Sequence, residues 1–153
     1  MIKIYTDGSC SSNPGPGGWA AILIQEGDSP TTRDIPGSDP ATTNNRMEML
    51  AVIEGLRAID KDKSIPADEP IEVYSDSAYI VNCFKDGWYK KWQKNGWTNS
   101  AGKPVENKDL WEAMISLVHK RNASLKKVKG HANDELNNRC DELAKKAVWR
   151  ESK

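Results

Sequence analysis

The chain is poor in cysteine, has no long apolar run and carries no net charge, and each absence narrows what it can be. Its three cysteines, Cys10, Cys83 and Cys140, are an odd number with no CxxC pair. That pattern points to neither a disulfide framework nor a zinc site, and the expected setting is a reduced, intracellular one. Cys140 falls within a helical apolar stripe and reads as a small buried hydrophobe. No apolar stretch approaches the ~20 residues needed to span a bilayer, so no membrane partner is expected. The N-terminus, Met1-Ile2-Lys3-Ile4-Tyr5-Thr6-Asp7, turns polar too early for a secretory signal. The formal charge of zero argues, on its face, against a polyanionic partner. It is a sum of unlike parts. Residues 1–84 carry 6 Lys/Arg against 13 Asp/Glu, a net of −7, and residues 85–129 carry 11 against 4, a net of +7. An acidic cluster beside a basic face would produce this asymmetry, and so would two solvated surfaces.

What is present is one ordinary domain's worth of chain, 153 residues with 37% hydrophobic and 29% charged side chains. Residues 1–150 read as a single domain and 151–153 as a tail. Ile2-Lys3-Ile4-Tyr5-Thr6 alternates and predicts a strand that stops at Asp7-Gly8. The stretch Asn13-Pro14-Gly15-Pro16-Gly17-Gly18 predicts a turn, and Trp19–Ile24 a second strand. A third strand, weakly patterned, is expected over 31–36. Met49, Val52, Ile53, Leu56 and Ile59 mark one face of a helix from about residue 45 to 60. Ile71–Ser75 is the fourth strand, with a short helix from Ser77. Trp111, Met114, Ile115 and Val118 mark another helix, 125–129 a last strand, and Leu136, Cys140, Leu143, Ala144 and Ala147 a final helix. The order predicts an α/β fold: a mixed sheet whose strand 71–75 lies parallel to the first strand.

Two segments then echo each other. Tyr5-Thr6-Asp7-Gly8-Ser9 and Tyr74-Ser75-Asp76-Ser77 each place an aspartate at the carboxyl end of a strand, where open α/β sheets put their sites. As parallel neighbours the two strands would lie about 4.8 Å apart, and Asp7 and Asp76 would point into one crevice. Such a pair repels unless a cation sits between, and oxygen donors without a thiolate or histidine cluster select Mg²⁺ or Mn²⁺. Either aspartate alone is equally what a turn or helix cap looks like. Glu48 has the spacing of a capping box with Asn45. Asp141 flanks the last helix's stripe, as a solvated aspartate would, and His131 sits in a loop. Spacing alone leaves these three open.

Seven motifs in order carry a resemblance. They are Tyr5-Thr6-Asp7-Gly8-Ser9-Cys10, Asn13-Pro14-Gly15-Pro16-Gly17-Gly18, Thr43-Asn44-Asn45-Arg46-Met47-Glu48, Ser75-Asp76-Ser77, Gly96-Trp97, Lys129-Gly130-His131-Ala132 and Asn137-x-Arg139-Cys140-Asp141-Glu142-Leu143-Ala144. Together, from Ile2 to about Ala147, they resemble bacterial-type ribonuclease H of the type 1 class. The resemblance implies a five-stranded mixed sheet, three antiparallel strands then two parallel, flanked by helices. It implies an endoribonuclease that hydrolyses the RNA strand of RNA–DNA hybrids with two Mg²⁺ ions (Mn²⁺ a possible substitute), leaving 5′-phosphate and 3′-hydroxyl ends. Asp7, Glu48, Asp76 and Asp141 would be the metal-binding catalytic acids, and His131 would assist proton transfer or product release. Thr43 and Asn107 would hold a DNA-strand phosphate, and Trp88, Trp92 and Ser100 would line the DNA channel. Asn13, Asn44 and Asn45 would face the minor groove, where 2′-hydroxyls distinguish RNA from DNA. Lys91 and Lys94, in the segment Trp88–Trp97, would supply a phosphate footprint, with Trp97 the most core-like of its rings. Gln93, Asn95 and Ala78 depart from common family residues, which implies a weaker grip on hybrid and a flatter salt response. With no hybrid-binding domain ahead of Met1, low processivity is expected, from a cytoplasmic monomer.

Overall fold

The computed structural model describes residues 1–128 and 135–148. Three antiparallel strands open the chain: β1 (Ile2–Cys10), β2 (Gly15–Gln25) and β3 (Thr31–Thr42). Helix α1 (Asn44–Lys61) crosses over to β4 (Ile71–Ser75), which lies parallel to β1. After α2 (Ala78–Asp86), α3 (Trp88–Lys94) and α4 (Lys108–Arg121), strand β5 (Ser124–Lys127) adds parallel to β4, and α5 (Glu135–Ala147) ends the described chain. The sheet order is β3-β2-β1-β4-β5, the five-stranded mixed sheet expected from the sequence.

Alternation along β1 decides which layer each side chain joins. Ile2 and Ile4 point to the α1 side, where all five stripe residues of α1 are buried with Ala21, Val73, Trp111 and Met114. Tyr5 points the other way, towards Ala20, Ile22, Cys140 and Ala144 under α5. That second layer is thin because its contact residues are small. A Cβ on Gly18 would lie 2.4 Å from the Val148 nitrogen and 2.5 Å from the Ala144 oxygen, so the end of α5 rests on bare β2 backbone. On the first layer, buried Arg121 ends α4 by donating to the carbonyls of Ile59 and Pro66, both at 3.1 Å, and to Asp60. Among the described residues, no helix is long and apolar enough to cross a membrane.

Several boundaries differ from expectation. β3 runs 12 residues instead of ending near residue 36. It is an edge strand, where Pro36 and Pro40 cost no shared ladder bond on the open side. β1 continues past Asp7-Gly8, because the glycines of the anticipated turn pair with it, Ser9 with Gly18 and Cys10 with Gly17. β5 is Ser124–Lys127 in place of 125–129, and Lys129 lies outside the described residues.

Candidate active site

The last registered pair between β1 and β4 is Tyr5 with Tyr74, whose rings stack at 4.8 Å. Two residues further on stand Asp7, still within β1, and Asp76, just past the end of β4. Asp7 is only 4% exposed and accepts a hydrogen bond from the Gly8 N–H at 2.9 Å. Gly8 also permits the third acid to arrive. A Cβ there would sit 2.4 Å from the Glu48 nitrogen and 2.5 Å from the Met47 carbonyl carbon, so the first turns of α1 lie directly on β1. As a result, one oxygen each from Asp7, Glu48 and Asp76 falls within 4.8 Å of the others. Glu48 makes no capping box. The cap of α1 is Thr43, whose hydroxyl accepts from the Arg46 N–H at 3.3 Å, which leaves Glu48 beyond the first turn and turned to the sheet.

Asp141 comes from α5. Its neighbour Cys140 is fully buried and its thiol donates to the carbonyls of Ala20, at 3.2 Å, and Tyr5, at 3.4 Å. Those contacts seat the helix so that the Asp141 carboxyl lies within hydrogen-bonding reach of Asp7. Asp141 also pairs with Lys145 at 3.0 Å and stands beside, not within, the close trio of oxygens. His131 lies outside the described residues.

The electrostatics follow from crowding acids in a dry place. Burial, then the Asp76 charge, push the Asp7 carboxyl up to about 7. Burial, then the Asp7 and Asp76 charges, push Glu48 up to about 10. Burial, then the charges of the four acids, raise the Cys140 thiol, whose proton is shared with the Ala20 and Tyr5 carbonyls. Glu48 Oε2 is buried with no hydrogen-bond partner. An all-oxygen donor set with an orphaned carboxylate oxygen fits a hard divalent cation.

Two recesses gather most of the residues expected to meet the substrate. One, of about 610 Å³, is lined by Asn13, Thr43, Asn44, Asn45, Glu106 and Asn107. It unites every residue expected to face the minor groove or hold a phosphate, and the Asn13 side chain accepts from the Asn44 N–H at 3.2 Å. The other, of about 400 Å³, lies along α3 and brings together Trp88, Lys91, Trp92 and Ser100 with Asn95, Thr98 and Asn99. Lys94 is exposed on the same helix but does not line the groove. Trp88 and Trp92 also pack on each other, centroids 6.4 Å apart, and Trp92 on the fully buried Trp111 at 5.5 Å. Trp97 is half-buried, not core, with the Lys108 ammonium 5.7 Å over its ring. Sequence reasoning missed Gly8, Glu106 and Arg46. Arg46 forks onto Asp109 at 2.9 and 3.1 Å and reaches Asn107 at 3.2 Å, partners more than sixty residues away that no local pattern announces.

Comparison with known proteins agrees with this geometry. The RNase H family model matches residues 1–149. Ribonuclease H of Thermoanaerobacter sp. is 48% identical over 153 residues, covering 100% of this chain and 93% of that protein. Ribonuclease H of Chlorobaculum parvum is 50% identical over 153 residues, covering 99% and 97%. Among solved structures, LC9-RNase H1, a type 1 RNase H with the type 2 active-site motif, superposes with a TM-score of 0.83 at 32% identity. That match covers 96% of this chain and 71% of the other. LC11-RNase H1 in complex with RNA/DNA hybrid superposes at 0.70 with 26% identity, covering 97% and 96%. With its sheet order, its converging acids and these relatives in agreement, the chain belongs to the ribonuclease H family, type 1 class.

Proposed function

We propose that this protein is an endoribonuclease that hydrolyses the RNA strand of RNA–DNA hybrids and leaves 5′-phosphate and 3′-hydroxyl ends. The observation that carries the proposal is the trio of carboxylate oxygens within 4.8 Å, one member of which, Glu48, has a buried oxygen without a partner. Asp7, Glu48, Asp76 and Asp141 would hold two Mg²⁺ ions, with Mn²⁺ able to substitute. Bound there, the ions would lower the pKa of the attacking water and stabilise the leaving 3′-oxygen.

The chain's own residues supply position and charge. Asp7 is buried and accepts from the Gly8 N–H, contacts that favour one carboxylate direction before substrate arrives. Exposed Asp76 opens the cluster to solvent on the side where a phosphodiester would approach. His131 assists proton transfer or product release. Thr43 and Asn107 take a DNA-strand phosphate, and Asn13, Asn44 and Asn45 face the minor groove. The α3 groove, with Trp88, Trp92, Ser100 and Lys91, receives the DNA strand, and Lys94 adds charge beside it. The protein acts as a monomer in the cytoplasm, its single domain spanning residues 1–150.

Replacing Asp7→Asn keeps the size and the Gly8 contact and removes a ligand charge. Hydrolysis of hybrid in Mg²⁺ is expected to be lost while folding and hybrid binding persist. Retained cleavage, or equal cleavage of duplex DNA, would refute the assignment.

A further inference from the structure

The recess of Asn13, Thr43, Asn44, Asn45, Glu106 and Asn107 has an unusual organiser, which does not line it. Asn107 occupies the N-cap of α4 in the left-handed region, φ 61°, yet its side chain makes no cap bond. An asparagine there ordinarily turns its carbonyl oxygen onto its own helix. Here that oxygen accepts from Arg46 Nη1 at 3.2 Å instead. On the opposite wall, the Thr43 hydroxyl oxygen accepts from the backbone N–H of the same Arg46, at 3.3 Å. One residue therefore engages an acceptor of both Thr43 and Asn107, one through its main chain and one through its guanidinium. Each oxygen keeps a second lone pair, but the groups suited to an anion in the recess are the Thr43 O–H and the Asn107 N–H not spent on Tyr79, both donors. The guanidinium itself is forked onto Asp109, at 2.9 and 3.1 Å, so its charge is compensated and its plane is held. The Asn107 amide also contacts the Tyr79 hydroxyl, which in turn accepts from the Trp111 indole at 3.0 Å.

We propose that Arg46 is a positioning residue of the phosphate pocket: its guanidinium holds the Asn107 carbonyl so that an amide N–H joins the Thr43 O–H in facing a phosphodiester oxygen, without Arg46 touching the substrate itself. This rests on the reading that the recess takes a DNA-strand phosphate. A lysine would keep the charge but not the fork, and could not hold Asp109 and Asn107 together.

The test is steady-state cleavage of an RNA–DNA hybrid by the wild type, Arg46→Ala, Arg46→Lys, Asn107→Ala and the Arg46→Ala/Asn107→Ala double variant. A matching hybrid with neutral methylphosphonate linkages in the DNA strand is run alongside. Arg46→Ala is expected to raise KM about 10-fold and move kcat far less, the size of losing one well-aimed hydrogen bond to a charged oxygen. Arg46→Lys should not rescue it. The double variant should match Asn107→Ala, and on the methylphosphonate hybrid Arg46→Ala should add no further loss. Should Arg46→Ala unfold early in a thermal melt, Asp109→Asn, which keeps the guanidinium and frees its fork, is expected to give the same KM rise. Rescue by lysine, additive losses in the double variant, or an unchanged KM in Arg46→Ala while Asn107→Ala raises it, would overturn the positioning role. If Asn107→Ala and the neutral linkages both leave KM untouched, the phosphate reading itself fails, and the positioning role with it.

Discussion

At the scale of single residues, Gly8 explains how a strand aspartate and a helix glutamate come to share a cation-sized space. A methyl group there would have to occupy the volume of the Glu48 nitrogen and the Met47 carbonyl carbon, neither of which is a flexible side-chain tip. Gly8→Ala is therefore expected to lift the start of α1 off β1, costing about 2 kcal/mol of stability as overpacked cores do. Cleavage in saturating Mg²⁺ should fall at least tenfold, because Glu48 is displaced with its helix. Calorimetry and single-turnover kinetics check the two halves, and full activity in a stable variant would contradict the account. The Asp7 and Asp76 pairing was legible beforehand, because two strand-end motifs matched and the crossover made the strands parallel. Glu48 was legible only through the family resemblance, because by spacing Asn45-x-x-Glu48 imitates a capping box. Only the actual cap, at Thr43, shows that the glutamate lies deeper in the helix. Arg46 and Glu106 depend on contacts across the fold, which a one-dimensional pattern does not encode.

At the scale of elements, periodicity read well where one face is buried and poorly where neither is. The stripe of α1 is buried at every expected position, whereas β3, an exposed edge containing two prolines, gave a weak signal and proved twice as long. Helix α3 separates two lysines that sequence alone treats alike. Lys91 lines the groove with Trp88 and Trp92, and Lys94, one turn on, does not. Lys91→Ala is expected to weaken hybrid binding at all sequences and to reduce the log–log salt slope by about 0.9, as one lost phosphate contact does. Lys94→Ala should change the slope far less. Titrations at several salt concentrations decide between them, and equal slopes for the two variants would mean the groove does not follow the backbone.

At the scale of the whole molecule, the balanced charge conceals a local excess of negative charge that the fold must tolerate without a cation. Asp7 and Glu48, ordinarily near 3.8 and 4.5, rise to about 7 and about 10 when folded. The fold then keeps protons that the unfolded chain releases. Their stabilising contribution is whole below about pH 4 and drains away as pH climbs through about 7 and onward. In chelator, the melting temperature is expected to fall as pH rises between about 5 and 8. Mg²⁺ should raise it and flatten the slope, since the ion replaces the proton as the partner of these acids. Asp7→Asn in chelator should flatten it as well. Parallel curves with and without Mg²⁺ would mean the acids do not hold the ion.

The docking of α5 onto the sheet, over Gly18 and through Cys140, carries a consequence for the order in which the protein comes into being. Three of the acids precede α2, but Asp141 is synthesised last of the four and reaches Asp7 only once its helix has settled on the sheet. A nascent fragment ending before α5 lacks this fourth acid, and none should digest hybrid.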